Sequence, residues 1–251
     1  MIKSYQKNQI QIIELNRPKV NAIDAELIGV LNNELDKIEQ DSSIKGIILT
    51  GQDGVFSAGL DIINLYEKDK EYMKSFWSLF SNLLLRIYRY PKLIFTAISG
   101  HSPAGGTVIS IMTDYRIMSR GNYVIGLNEV AVGLSMPIAI GRVFQSLLGE
   151  RVAEKMTLSG KLVNPDKAQE IGLIDEVVDP EILLKHSIDK MYEWLKLPFN
   201  KQIESKLSLR NDIINVMVNT IEKENDNFID AWFSDECRAT MESIIKKLAK
   251  K

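Results

Sequence analysis

The chain has 251 residues, enough to bury the core of one large domain with or without an appendage. Its 31 Lys and Arg against 33 Asp and Glu argue against nucleic acid or an anionic membrane as main partner, since either would favour a concentrated basic face. The single Cys237 excludes an internal disulfide framework, and two histidines with one cysteine cannot build a zinc site.

In chain order, residues 9–15 alternate apolar and polar, as a half-buried strand does. The turn Asn16-Arg17-Pro18-Lys19-Val20-Asn21 breaks that pattern, and Asp24 is placed to N-cap an amphipathic helix with Leu27, Leu31, Leu35 and Ile38 on one face. Lys45–Gly51 reads as a buried strand. A loop, Gln52–Asp61, leads into one long helix through Tyr88, and Pro91 precedes the next strand, Leu93–Ile98. Strand and helix alternating at this spacing predict an α/β fold with a largely parallel sheet and right-handed crossovers. From Pro198 onward strands give way to helices, predicted over Ile203–Leu209, Ile213–Ile221 and Phe228–Leu248. The division is therefore an α/β core over 1–198 and a C-terminal helical segment over 199–251. The basic run Lys246-Lys247-Leu248-Ala249-Lys250-Lys251 reads as a solvated helix end. With no secretory leader pattern and no apolar run of about 18 residues, a soluble protein is expected, cytoplasmic, or in the mitochondrial matrix or peroxisome of a eukaryote.

Two glycine-containing loops follow buried strands and lead into helices: Gly54–Asp61 and Gly100–Gly106. Unpaired N–H donors at helix starts suit negative charge, and two converging on one oxygen would form an oxyanion hole; glycines serving only the turns are the plainer reading. Gly100-His101-Ser102-Pro103-Ala104 imitates a hydrolase nucleophile elbow, but Ala104 stands where that motif has its last glycine. A third segment, Tyr123–Leu134, sets Glu129 among apolar and glycine residues. Such surroundings raise a carboxylate toward the range of a general base, although the same position suits a surface carboxylate at a strand-to-helix junction.

The strings Phe56-Ser57-Ala58-Gly59-Leu60-Asp61, Pro103-Ala104-Gly105-Gly106, Asp114–Met118 and Ile125-Gly126-Leu127-Asn128-Glu129, continued by Gly149–Ala153 and Ala168–Val178, resemble the crotonase (enoyl-CoA hydratase/isomerase) superfamily. Within it the chain is most similar to the mitochondrial-type Δ3,Δ2-enoyl-CoA isomerases. The resemblance implies a crotonase-like spiral of ββα units, an acyl-CoA substrate, no cofactor beyond the coenzyme A of the substrate, and a homotrimer or dimer of trimers packed partly through the helical tail. It implies Leu60 and Gly105 N–H as the oxyanion hole, Glu129 as the catalytic acid/base, and Ala58, Gly59, Asp61 and Ile62 along the acyl-CoA site, with Lys19 near the CoA moiety. Hydratases of this superfamily carry a second glutamate three residues after the oxyanion glycine; that position here is Val108. The expected activity is therefore isomerisation of a 3-enoyl-CoA in fatty acid β-oxidation. The alternatives are another single-acid member acting on a different acyl-CoA and a non-catalytic acyl-CoA-binding protein.

Overall fold

The computed structural model describes residues 1–248; of the basic terminal run, Ala249, Lys250 and Lys251 lie outside the described residues. Strands β1 (Ile2–Lys7) and β2 (Ile10–Leu15) form an antiparallel hairpin, followed by helix α1 (Ala25–Gln40). Then come β3 (Gly46–Thr50), the short β4 (Gly54–Val55), α2 (Ile62–Tyr66) and α3 (Lys70–Tyr88). Strands β5 (Leu93–Ile98) and β6 (Gly100–Pro103) lead to α4 (Gly105–Ile111), and β7 (Tyr115–Ser119) to β8 (Ile125–Gly126). A 3₁₀ turn (Glu129–Val132) precedes α5 (Ile138–Leu148), α6 (Glu150–Ser159), α7 (Pro165–Glu170) and strand β9 (Glu176–Val178). Helices α8 (Leu183–Leu195), α9 (Phe199–Trp232) and α10 (Asp235–Leu248) complete the described residues.

The strands form two sheets, one of six in the order β1-β2-β3-β5-β7-β9 and one of three in the order β4-β6-β8. Apart from the β1–β2 hairpin, neighbouring strands run parallel. Each passage of the chain lays one strand in the large sheet and the next in the small one: β3 then β4, β5 then β6, β7 then β8. This is the expected spiral of ββ units with helices between them. Its consequence is positional, because the small sheet sets the segments after residues 54, 100 and 125 side by side.

Alternation accounts for the core. Ile13, Leu15, Ile47, Leu49 and Ile94 pack with α1 and α3, whereas Ile10, Ile12, Ile48 and Phe95 pack with α8 and the start of α9. Residues 10–13 are buried throughout, so β2 is not the half-exposed strand its alternation predicted. Both faces of the sheet are covered, as parallel sheets require. The predicted single helix to Tyr88 is two, α2 and α3, because Asp69 caps a fresh N-terminus by accepting from Tyr72 N–H at 2.8 Å. The predicted first two tail helices and the start of the third are one 34-residue helix, α9, and the rest of the third is α10.

The tail is tied to the core by buried charge. Asp114 accepts from Lys206 Nζ and Arg210 Nη2, each at 2.9 Å, and from Ile94 N–H at 2.7 Å. Elsewhere the helices carry slack. Gly29 lies inside α1 with nothing within 4 Å of the position a Cβ would take. Gly29→Ala is expected to raise unfolding stability by about 0.5–1 kcal/mol, read by denaturant titration.

Candidate active site

The hairpin turn and the first glycine loop interlock through backbone hydrogen bonds. Ala58 N–H donates to Val20 carbonyl at 2.9 Å, Ile23 N–H to Gly59 carbonyl at 2.8 Å, and Asp61 N–H to Ile23 carbonyl at 2.9 Å. Asn21 Nδ2 donates to Phe56 carbonyl at 3.0 Å, and Ser57 Oγ donates to Asn21 carbonyl while accepting from Gly59 N–H. Arg17 clamps the outside, its Nη2 lying 2.8 Å from Asp24 and 2.7 Å from Asp61. These two carboxylates also accept from Leu27 N–H and Asn64 N–H, so one guanidinium joins the N-caps of α1 and α2. Every N–H from Ala58 to Ile62 is thereby used except that of Leu60, which has no partner among the described residues.

The second loop leaves a matching donor. Ala104 is held at φ 47° and ψ −119°, a conformation rare for a residue with a side chain, while its N–H donates to Gly126 carbonyl at 2.9 Å. Gly105 is then the first residue of α4, with no intrahelical acceptor for its N–H and no other partner among the described residues. Thr107 fixes the junction, accepting from Gly126 N–H at 2.8 Å and donating to Ser102 carbonyl. The two unpaired donors are close: a Cβ built on Gly105 would lie 3.3 Å from Leu60 N, and one built on Gly59 would lie 3.1 Å from Gly105 N.

Both donors border a cavity of about 670 Å³. Lys19, Ala58, Asp61 and Ile62 also line it; Gly59 does not, and serves instead as a left-handed (φ 87°) hinge whose Cα packs on Gly105. Asp61 reaches the cavity already paired with Arg17. Glu129 enters from the third segment, at the start of the 3₁₀ turn. Its Oε2 is buried with no hydrogen-bond partner among the described residues, as is Oδ1 of Asn128 beside it. Burial pushes the Glu129 carboxyl up to about 7, against a smaller downward pull from its own backbone N–H. The surface-carboxylate reading of Glu129 is therefore the one the structure corrects. Val108, on α4, borders the same cavity, leaving Asp61 and Glu129 as its only carboxylates among the described residues.

Four aromatic residues complete the lining. Trp77 and Phe80 of α3 and Phe228 and Trp232 of α9 line the cavity, with Trp77 and Phe228 stacked at 3.5 Å between ring centroids. Aromatic residues at helical spacing suit ordinary core as well as an acyl pocket, and only the fold brings together two helices about 150 positions apart in sequence. The elbow-like Ser102 is fully buried, and His101 lies in β6 with Nδ1 accepting from Val124 N–H at 3.2 Å, so no nucleophile–base pair forms. Cys237 is buried and its thiol is raised to about 11 by that burial, as an inert cysteine should be. Among the described residues there is no group of three or more His, Cys, Asp or Glu that could hold a metal, and no helix long and apolar enough to cross a membrane.

Two adjacent backbone donors, one desolvated carboxylate and a large apolar recess are chemistry for a polarised carbonyl and a mobile proton. Comparison with known proteins agrees. The family model described as "Enoyl-CoA hydratase/isomerase" matches residues 5–250. "Enoyl-CoA delta isomerase 1, mitochondrial" of Mus musculus is 30% identical over 244 residues, 96% of this chain and 84% of that protein. The 2,3-dehydroadipyl-CoA hydratase of Escherichia coli K12 is 29% identical over 190 residues, 72% of this chain and 71% of that one. The crystal structure of human mitochondrial delta3-delta2-enoyl-CoA isomerase superposes with a TM-score of 0.96 at 27% identity, covering 99% of this chain and 98% of that one. Fold and relatives together define a crotonase-type acyl-CoA enzyme. The chain belongs to the enoyl-CoA hydratase/isomerase family.

Proposed function

We propose that the protein is an enoyl-CoA Δ-isomerase that moves a 3-enoyl-CoA double bond to the 2-trans position. The observation that carries this reading is the carboxylate inventory of the cavity: Asp61 is held by Arg17 and by Asn64 N–H, Val108 is apolar, and Glu129 alone has an unpartnered oxygen to exchange a proton. Hydration of a conjugated enoyl thioester needs a group to orient and activate water, for which a valine is no substitute. Isomerisation needs only one base.

The thioester oxygen is placed between the N–H groups of Leu60 and Gly105. The C2 protons of a 3-enoyl thioester are acidified by both the carbonyl and the adjacent alkene. Glu129 takes one of them, negative charge spreads to the thioester oxygen, and the two N–H groups stabilise that dienolate. The protonated Glu129 then returns its proton at C4, giving the conjugated product with no net change in atoms or electrons. Trp77, Phe80, Phe228 and Trp232 offer the acyl chain an apolar wall, and Lys19 on the same lining suits the phosphates of coenzyme A. We assign the protein to fatty acid oxidation on this basis, with a trimeric assembly as in the family at large.

The test is turnover of a 3-enoyl-CoA, read by the rise in absorbance on conjugation; conversion of 2-enoyl-CoA to the 3-hydroxy compound at a greater rate would sink the assignment. A base raised to about 7 makes a further expectation. kcat/KM rises with pH through an apparent pKa near 7 and drops about tenfold per unit below it, because only ionised Glu129 accepts the C2 proton. A profile flat between pH 5 and 8 would remove Glu129 from the role.

A further inference from the structure

The Glu129 segment is fastened at both ends by the C-terminal helices. Residues 129–137 run over the cavity from the 3₁₀ turn to the start of α5, with Val130 and Ile138 exposed. At the near end Gly133 is left-handed (φ 81°), and a Cβ there would fall 2.8 Å from Cys237 Cα on α10. Cys237 Sγ reaches Val132 carbonyl at 3.4 Å. At the far end α5 begins after Pro137, which has no side chain able to cap it. The cap comes from 86 residues away: Glu224 of α9 accepts from Ile138 N–H through Oε1 at 2.5 Å and from Ala139 N–H through Oε2 at 3.3 Å.

A carboxylate across the first two N–H groups of a helix satisfies orphan donors and complements the helix dipole. Here it also fixes where the segment from Leu134 to Pro137 lies, and Leu134 N–H in turn holds Glu129 carbonyl at 3.0 Å. We propose that Glu224 is a positioning residue for Glu129: by capping α5 from α9 it holds the 129–137 segment down and keeps the Glu129 carboxyl desolvated over the substrate. This rests on the reading of Glu129 as the base. Glu224 touches none of the other ionisable groups bordering the cavity, Arg17, Lys19 and Asp61, so its effect on the reaction passes through the segment.

The experiment compares Glu224→Ala, Glu224→Gln and Glu129→Gln, each as the full chain, by steady-state turnover of a 3-enoyl-CoA from pH 5 to 9 and by thermal unfolding. Loss of the cap is expected to lower kcat by about 10- to 100-fold, since displacement of a reacting group by about 1 Å suffices for that. KM should change by less than about threefold, because Glu224 bonds to Ile138 and Ala139 N–H and not to Lys19, the residue assigned to coenzyme A. The apparent pKa in kcat/KM should fall toward that of an ordinary glutamate as Glu129 gains water, a shift that loss of stability alone does not produce. Glu224→Gln keeps one acceptor for Ile138 N–H and should restore most of kcat. Parental kcat and pH profile in Glu224→Ala, whatever its melting temperature, would overturn the proposal. If the alanine variant does not fold, Glu224→Met, which keeps the length of the side chain but offers no acceptor oxygen to Ile138 N–H, takes its place, and parental kcat and pH profile in it overturn the proposal equally. Full activity in Glu129→Gln would instead remove the base assignment, a separate failure.

Discussion

Replacing Glu129 by Gln is expected to lower kcat for 3-enoyl-CoA isomerisation by about 10³- to 10⁴-fold while leaving substrate binding nearly intact. The amide is isosteric and cannot accept a proton, and the cavity holds no second free carboxylate to take over, because Asp61 is committed to Arg17 and to the α2 N-cap. Single-turnover absorbance measurements at saturating substrate would separate this chemical effect from binding. A loss smaller than about tenfold would mean that another group moves the proton.

The same variant carries a stability signature of definite sign. The folded carboxyl lies near 7, above its ordinary value of 4.5, so between these pH values the native state binds more protons than the unfolded chain. Stability therefore falls as pH rises through that window, and Glu129 imposes its full cost above pH 7. Glu129→Gln should melt higher than the parent at pH 8, with the difference closing toward pH 4.5. An upper bound for the gain is on the order of 3 kcal/mol, less whatever the amide loses by burying its own N–H groups. Enzymes that place a charge in a dry cavity give up stability for reactivity, and this pair of measurements would detect both sides in one substitution.

Gly59→Ala is the second large effect. Glycine at φ 87° adopts this conformation freely, whereas alanine is strained there by about 1–2 kcal/mol. The added methyl would also stand 3.1 Å from Gly105 N and 3.2 Å from both Ala104 Cβ and Pro103 carbonyl. These neighbours are backbone or a strained turn, so they cannot swing aside as a flexible side chain would. The methyl displaces one of the two donors assigned to the thioester oxygen. The expected result is a 10²- to 10³-fold loss in kcat, the usual consequence of removing one such donor, together with a lower melting temperature. Gly29→Ala in α1 is the control, since it adds the same methyl in open space. Unchanged kcat in Gly59→Ala would show that the two N–H groups do not act on the reacting carbonyl.

The three segments that border the cavity could be read before the fold was known, for a local reason, whereas the roles of Leu60, Gly105 and Glu129 within them came from the family resemblance. Helix caps and tight turns are short-range devices: as a cap Asp24 serves Leu27, three residues on, and a glycine loop after a buried strand announces a strand-to-helix corner wherever it occurs. The helix boundaries of the tail failed for the complementary reason. Over Phe199–Trp232 the apolar residues face different partners along the length, first α8 and the sheet, then α3 and α5. The stripe therefore drifts and reads as separate helices. Likewise β2 alternates in sequence yet is buried on both faces, because helices cover each side of the sheet, and Gln11 tolerates its covered position by donating to Ser4 Oγ.

By itself the sequence determined the α/β class, the three chemistry-bearing segments, the family they resemble, and the valine standing where a second carboxylate would be. All of these depend on residue identity and short spacing. Tertiary structure alone decided the state of Glu129, since desolvation is a property of what surrounds a carboxyl and not of its neighbours in the chain. It also decided that Leu60 and Gly105, 45 positions apart, leave their donors unpaired against one cavity, because strands β4, β6 and β8 of the small sheet set their loops side by side. The third such decision was the wall supplied by Trp77 with Phe228 and the cap supplied by Glu224, contacts made when α9 folds back over α3 and α5. A free donor or an unpaired carboxylate is defined by the absence of partners in space, which no reading of spacing along the chain can supply.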